Sequence, residues 1–335
     1  MIQVVKKAWL YTFCLFLLAV LLSVSCTGIN SSNREDSSNS QTSTPSAVTI
    51  ANVDRSNELR DRIEQISRAA QGRVGMTATV LETGESVSLN GDRRFPMQSV
   101  YKFPIAMAVL AQVDRGNLKL DQKIRVEATD IVRDSRILEK NSQGKEFSLA
   151  ELIKYMVSES DSTACDVLLR LIGKPQRVTE YLRNLDVNDI VVANTENEIQ
   201  FGKEPGLQYR NYATPDAAVN LLRAFHKGRG LSKSSQALLR QWMIETSTGP
   251  NRIKGLLPKG TVVAHKTGTS ATVNGVTAAT NDVGLVTLPN GQHLAIAVFV
   301  SDSQATDAIR EEVIAIIGES CMGRMEQMSV IDVKH

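Results

Sequence analysis

Histidine is scarce in this chain of 335 residues: His226, His265, His293 and His335 are the four, and no two stand in a His-x-His or His-x-x-x-His spacing. A zinc hydrolase gathers three or four nitrogen, sulfur or carboxylate ligands, so the sequence argues against metal-dependent hydrolysis. Cysteine is equally sparse. Cys14 and Cys26 fall in the amino-terminal segment, leaving Cys165 and Cys321 for the folded part, where two cysteines in so large a domain are expected as separate buried thiols. Long runs of like charge are missing too. The 38 basic and 36 acidic residues leave a formal net charge of +2, and their even spread gives no nucleic-acid footprint. No internal repeat is visible. A neutral or anionic small molecule is the expected ligand class, with no metal and no cofactor, and nothing demands more than a monomer.

What is present begins with Lys6 and Lys7 ahead of an apolar stretch from Ala8 to Val24, the charged and apolar regions of an export signal. A retained membrane span is the competing reading, although the stretch is short for one. Ser23-Val24-Ser25-Cys26-Thr27-Gly28 resembles a bacterial lipoprotein signal with Cys26 as the lipidated first mature residue, except that Ser23 stands where such signals carry leucine. Cleavage by an ordinary signal peptidase is the alternative. Residues 27–56, rich in Ser, Asn and Thr and without apolar periodicity, are expected to be a flexible tether. The organisation expected is therefore a signal over 1–26, a tether over 27–56, a folded domain over 57–322 and a tail over 323–335, in an exported, periplasmic protein that is membrane-tethered if Cys26 carries lipid.

Within the folded part, Leu59, Ile63 and Ile66 recur at helical spacing, predicting an amphipathic opening helix. Strands are predicted over Val74–Leu81 and Ser86–Leu89, joined through Thr83-Gly84, and again over Thr261–Ala264, Val283–Leu288 and His293–Val300, the last two joined by Asn290-Gly291. Between them, about 103–250 is helical in pattern. A final helix is predicted from Ala305 to about Ile317. Strands at both ends and helices between them fit an antiparallel sheet built from both termini with an all-helical domain inserted, a mixed α/β fold of the α+β type.

Three short motifs carry chemistry. In Ser99-Val100-Tyr101-Lys102 a hydroxyl and an amine stand three residues apart, which one helical turn brings to the same face. A serine hydroxyl needs such a base to become a nucleophile. The same spelling recurs at Ser142–Lys145, where Asn, Gln and Gly indicate a loop; Ser99 instead precedes the apolar run Phe103–Leu110, so it would sit at a helix start where free N–H groups favour developing negative charge. Ser160-Asp161-Ser162 follows an apolar helix, and its spelling also recurs, at Ser301-Asp302-Ser303. Lys266-Thr267-Gly268-Thr269 occurs once. It offers an ammonium, hydroxyls and room for a ligand to approach the strand.

Taken in this order, the three motifs resemble those of class A serine β-lactamases and penicillin-binding proteins, and the resemblance covers about 57–320. It implies a five-stranded antiparallel sheet flanked by helices, with Ser99 attacking the β-lactam carbonyl, Lys102 helping to take its proton and Ser160 protonating the departing nitrogen. Lys266, Thr267, Gly268 and Thr269 would hold the substrate carboxylate, with the oxyanion between the N–H groups of Ser99 and Thr269. The family usually has Asn where this chain has Ser162, so the substrate contact expected there becomes a hydroxyl one. Deacylation in class A uses a carboxylate on an omega loop. The stretch Asn194–Gln200 resembles that loop, and Glu196, with Ile199 and Gln200 in the apolar and water-holding places, is preferred over Glu198; Gln200 replaces the family's Asn. The segment on to Thr214-Pro215 is longer than usual, resembling the subgroup that includes extended-spectrum enzymes.

Arg252 matches an arginine that some family members carry near the substrate carboxylate, or else it satisfies carbonyls at a helix end. His265 is read as a strand residue facing away from the site. The function implied is hydrolysis of penicillins and cephalosporins. Two rivals share the motifs: a D-alanyl-D-alanine peptidase, which lacks the deacylating carboxylate, and a β-lactam sensor, which needs more chain than the seven residues ahead of the apolar run.

Overall fold

The computed structural model describes residues 47–332; the readings made at Ala8–Val24 and Cys26 lie outside them. The five main strands are β1 (Arg73–Val80), β2 (Ser86–Leu89), β3 (Val263–Thr269), β4 (Thr280–Thr287) and β5 (His293–Ser301). They form one sheet in the order β2-β1-β5-β4-β3, with every neighbouring pair antiparallel. The chain thus enters the sheet from its first part, leaves for the helices, and returns to complete it. At the tip between β4 and β5, Gly291 holds a left-handed backbone (φ 85°), the conformation an Asn-Gly hairpin turn requires.

Alternation along the strands divides the core into two layers. On β5, Leu294, Ile296, Val298 and Val300 pack in one layer with Leu59 and Ile63 of α1 (Ala47–Ser67) and Val313, Ile314 and Ile317 of α9 (Asp307–Asp332). Ala295, Ala297 and Phe299, the alternate residues, pack with the inserted helices in the other layer. The rings of Phe95 and Phe299 stack at 5.8 Å and those of Phe103 and Phe225 meet edge-on at 5.4 Å, arrangements that add about 1 kcal/mol each beyond area burial.

The inserted segment carries seven helices: α2 (Lys102–Asp114), α3 (Leu149–Ser158), α4 (Ser162–Ile172), α5 (Pro175–Arg183), α6 (Glu196–Phe201), α7 (Pro215–His226) and α8 (Lys233–Ile244). Their starts are capped as their sequences dictate. Ser148 and Glu151 form a capping box on α3, Asp161 accepts from the Ala164 N–H at α4, and Thr214 accepts from Ala217 N–H at α7. The segment is not purely helical, since short strand pairs (Lys123–Arg125 with Glu146–Ser148, and Phe95–Pro96 with Tyr212–Ala213) brace it.

Two boundaries differ from expectation. Helix α1 starts at Ala47, inside the stretch read as tether, because after Pro45 no Gly or Pro interrupts it and an established helix propagates at little cost. Helix α9 runs past Ile317 into the expected tail, and Cys321 and Met322 extend its buried face. Gly318 does not break it; a Cβ there would stand 3.2 Å from the Ile253 carbonyl oxygen, so the glycine lets the helix lie close. Cys165 and Cys321 are both free and buried, one in each layer of the core. Among the described residues no helix is long and apolar enough to cross a membrane.

Candidate active site

Ser99 lies in a single tight turn, Gln98–Tyr101, that runs directly into α2. The turn is fixed from the sheet: the side-chain amide of Asn281, on β4, donates to the carbonyls of Pro96 (2.8 Å) and Met97 (3.1 Å). Strand β3 closes against it. A Cβ on Gly268 would stand 2.3 Å from the Met97 oxygen, so only glycine allows this approach. Gln98 (φ 46°) and Ser160 (φ 60°) both hold left-handed backbone, which for residues other than glycine stores on the order of 1–3 kcal/mol each. Both flank the Ser99 hydroxyl.

Lys102 is fully buried. Its ammonium donates to Ser99 Oγ (3.0 Å), the Ser160 carbonyl (2.8 Å) and Ser162 Oγ (3.2 Å), and lies 2.8 Å from Glu196 Oε1. Burial works to lower the Lys102 pKa, but the groups around it, the Glu196 carboxylate foremost, together outweigh it and the net direction is upward. For Glu196 burial works upward, and Lys102, with Tyr101 and Lys266 beside it, together outweigh it, so that its pKa falls below the ordinary value. The pair therefore rests as ammonium and carboxylate, because removing either charge would leave the other buried without a partner.

The choice between the two acids of the loop follows from a helix cap. Thr195 Oγ1 accepts from the Glu198 N–H (3.1 Å) while Glu198 Oε2 accepts from the Thr195 N–H (2.9 Å), the reciprocal capping box that Thr-x-x-Glu encodes. Glu198 is thereby committed to the start of α6, and Glu196 is the acid at Lys102. The loop is anchored by Asp166 of α4, whose two carboxylate oxygens accept from the N–H groups of Glu196 and Asn197, each at 2.8 Å. Burial pushes the Asp166 pKa up to about 7 against these two donors.

From the other side, Lys266 Nζ donates to Ser160 Oγ (2.9 Å) and the Thr267 carbonyl (3.0 Å). Burial, aided by the charge of Lys102, holds its pKa well below the ordinary lysine range. Ser160 thus sits between two amines, its carbonyl on one and its hydroxyl on the other. Thr267 and Thr269 line the same cleft as Ser99 and Ser160, together with Ser247 and Thr248.

Gln200 behaves differently from the role expected of it, while Ser162 and Arg252 stand at the site with protein partners of their own, Arg252 lining the cleft. The half-buried Ser162 hydroxyl oxygen accepts from Lys102 and keeps its own proton free to donate. Gln200, expected to hold a water beside Glu196, is exposed and clasps the backbone of Arg133 instead, accepting from its N–H (2.9 Å) and donating to its carbonyl (3.1 Å); its extra methylene carries the amide out to that loop. Arg252 is buried and donates to Thr269 Oγ1 (2.7 Å) and to the carbonyls of Asn281 (3.0 Å) and Gly268 (3.3 Å), with Nε on Glu311 of α9 (3.0 Å). It holds the end of β3 in place and supports Thr269. His265 alternates with Lys266 on β3 and bonds Asp282 through Nδ1 (2.9 Å) on the opposite face. It is fully buried and does not line the cleft.

Asp166, Asn281 and Thr248 were not singled out in the sequence. Asp166 carries a visible signal, an acid among the apolar residues of its helix; Asn281, in the polar run Thr280-Asn281-Asp282, and Thr248 carry none.

Residues 58–325 match the family described as the β-lactamase enzyme family. The chain belongs to that family. Over 269 residues it is 42% identical to β-lactamase VEB-1 of Pseudomonas aeruginosa, covering 79% of this chain and 89% of that one. It is 41% identical over 265 residues to the extended-spectrum β-lactamase PER-1 of the same species, covering 78% and 85%. Among solved structures, a class A β-lactamase from Bacteroides cellulosilyticus superposes with a TM-score of 0.76 at 33% identity, covering 82% of this chain and 99% of that one. The protein is a serine β-lactamase of class A, and the cleft around Ser99 is the part of it equipped for acyl transfer.

In this β-lactamase Asp166 fixes where the Glu196 carboxylate stands. An amide at that position has a single acceptor oxygen and would leave one of the two loop N–H groups unpaired, a cost of about 1–3 kcal/mol. Asp166→Asn is expected to lower steady-state turnover of a chromogenic cephalosporin about tenfold while single-turnover acylation changes little. Stopped-flow measurement of both steps checks this, and unchanged turnover would remove Asp166 from the role.

Proposed function

We propose that the protein opens the β-lactam ring of penicillins and cephalosporins through an ester at Ser99, which Glu196 then lets water release. The observation that carries this is the contact of one buried ammonium with both groups, Ser99 Oγ at 3.0 Å and Glu196 at 2.8 Å. Transfer of one proton from Lys102 to Glu196 leaves a neutral amine beside the Ser99 hydroxyl, and that amine takes the hydroxyl proton as the oxygen attacks the ring carbonyl. Negative charge then develops on the carbonyl oxygen, which the N–H groups of Ser99 and Thr269 receive. The ring nitrogen departs with the proton of Ser160 Oγ; the proton that Lys102 took from Ser99 replaces it, Lys102 lying against both serines, and Glu196 then returns its proton to Lys102, while Lys266, 2.9 Å from Ser160 Oγ, stays an ammonium. Lys266 with Thr267 and Thr269 holds the substrate carboxylate, whose charge favours the protonated lysine. Glu196, again a carboxylate, takes a proton from the water that attacks the ester.

A peptidase would carry the first half of this sequence and stall at the ester. The acid beside Lys102 supports the hydrolase, because it provides the base that the second half needs. Without the Glu196 charge the buried Lys102 is left as a neutral amine, so Glu196→Gln is expected still to acylate and then to accumulate, with turnover down by about 10²–10⁴ and a stable mass increment on the Ser99 peptide; unchanged turnover would move the role elsewhere. The sign of the Glu196 shift sets the acid limb of the rate profile. Its pKa is lowered, so the carboxylate persists below the ordinary glutamate value of about 4.3, and kcat/KM is expected to hold as pH falls through that value and to drop only below it. A limb centred near pH 6 would contradict the resting ion pair.

We further propose that the chain is exported to the periplasm as a monomer and anchored through lipid on Cys26. The sequence around Cys26 supports this, as does the Ser- and Asn-rich stretch after it. Labelled palmitate is expected in the intact protein and absent from Cys26→Ser; label in neither would leave ordinary signal cleavage.

A further inference from the structure

We propose that Glu82, His226 and His293 form a binding site for a divalent zinc-type ion that ties α7 to the end of the sheet. Glu82 stands in the turn after β1, His293 opens β5 and His226 is the last residue of α7. One ligand atom from each lies within 4.8 Å of the others. Glu82 Oε1 is 2.8 Å from His293 Nδ1 and 3.8 Å from His226 Nε2. These two separations bracket the edge of about 3.3 Å that a tetrahedron with bonds of about 2.0 Å requires.

Two imidazoles and a carboxylate are a donor set suited to zinc, and three protein ligands leave the fourth position for water. The carboxylate is already held, since its second oxygen accepts from the His293 N–H at 2.8 Å. The three side chains are between 22% and 36% exposed, so an ion has a way in.

The arrangement also contains a competitor. Arg240 donates to His226 Nδ1 at 3.0 Å, which places the proton of neutral His226 on Nε2, toward Glu82. Ligation through Nε2 sends that proton to Nδ1, so Arg240 must give up the contact; the proton between His293 Nδ1 and Glu82 is displaced as well. Zinc therefore competes with one hydrogen bond from a charged donor, and removing Arg240 is expected to tighten binding about tenfold.

The site is far from the chemistry. Lys266 shares a register row with Ala297 through Val283, so His293 lies about 13 Å farther along the strands and two strands over. An ion there would stabilise the fold without touching the reaction. The test is titration of tag-free, chelator-treated protein with zinc chloride, read by calorimetry and by thermal unfolding. One equivalent is expected to bind, with Tm raised by about 5 °C at a hundredfold excess over Kd and cephalosporin turnover unchanged. His293→Ala and His226→Ala are expected to lose the equivalent, His335→Ala to keep it, and Arg240→Met to bind more tightly. Absence of binding at about millimolar zinc, or binding that survives both His226→Ala and His293→Ala, overturns the proposal; weaker binding by Arg240→Met overturns the assigned ligand atom.

Discussion

Lys102 must keep its charge where no water reaches it, and the cleft is organised around that requirement. An unpaired buried ammonium would lose its proton or unfold its surroundings. Here it is met by a hydroxyl from its own helix turn, by the backbone and side chain of the Ser160–Ser162 junction, and by Glu196 from the loop. Three stretches distant in sequence are thus held together by one group that is also the proton carrier. The electrostatic bond that stabilises the site and the path along which its proton moves are the same contact.

Backbone shape supplies what charge alone does not. Ser99 follows left-handed Gln98 in its turn and shares the cleft with left-handed Ser160, and both conformations persist because neighbours over-determine them. Asn281 grips the carbonyls before the turn, and Gly268 lets β3 lie against it. Those neighbours, by holding the strained backbone, keep the nucleophile from relaxing away from the position the reaction needs.

Much of this was legible in the sequence, and the reasons differ from residue to residue. Ser99 and Lys102 were legible because a three-residue spacing on a helix is a geometric statement, and the Asn290-Gly291 turn because its backbone suits few other residues. Glu196 was preferred over Glu198 by family pattern alone, whereas the physical reason, the Thr195–Glu198 capping box, was already spelled in the chain. The orientation of Gln200 and Ser162 was not legible. It depends on side-chain length against partners more than thirty residues away, Arg133 for one and Lys102 for the other. Asp166 was missed because its role, receiving the N–H groups of another helix, belongs to the tertiary arrangement rather than to its own helix.

The guanidinium of Arg252 joins the edge of the cleft to a helix on the far layer of the molecule. It grips Thr269 and the end of β3 on one side and Glu311 of α9 on the other. Sequence drift in the carboxy-terminal helix is therefore not silent for catalysis: a lineage that loses the acid at Glu311 leaves a buried cation free to rearrange beside the very hydroxyl that greets the substrate.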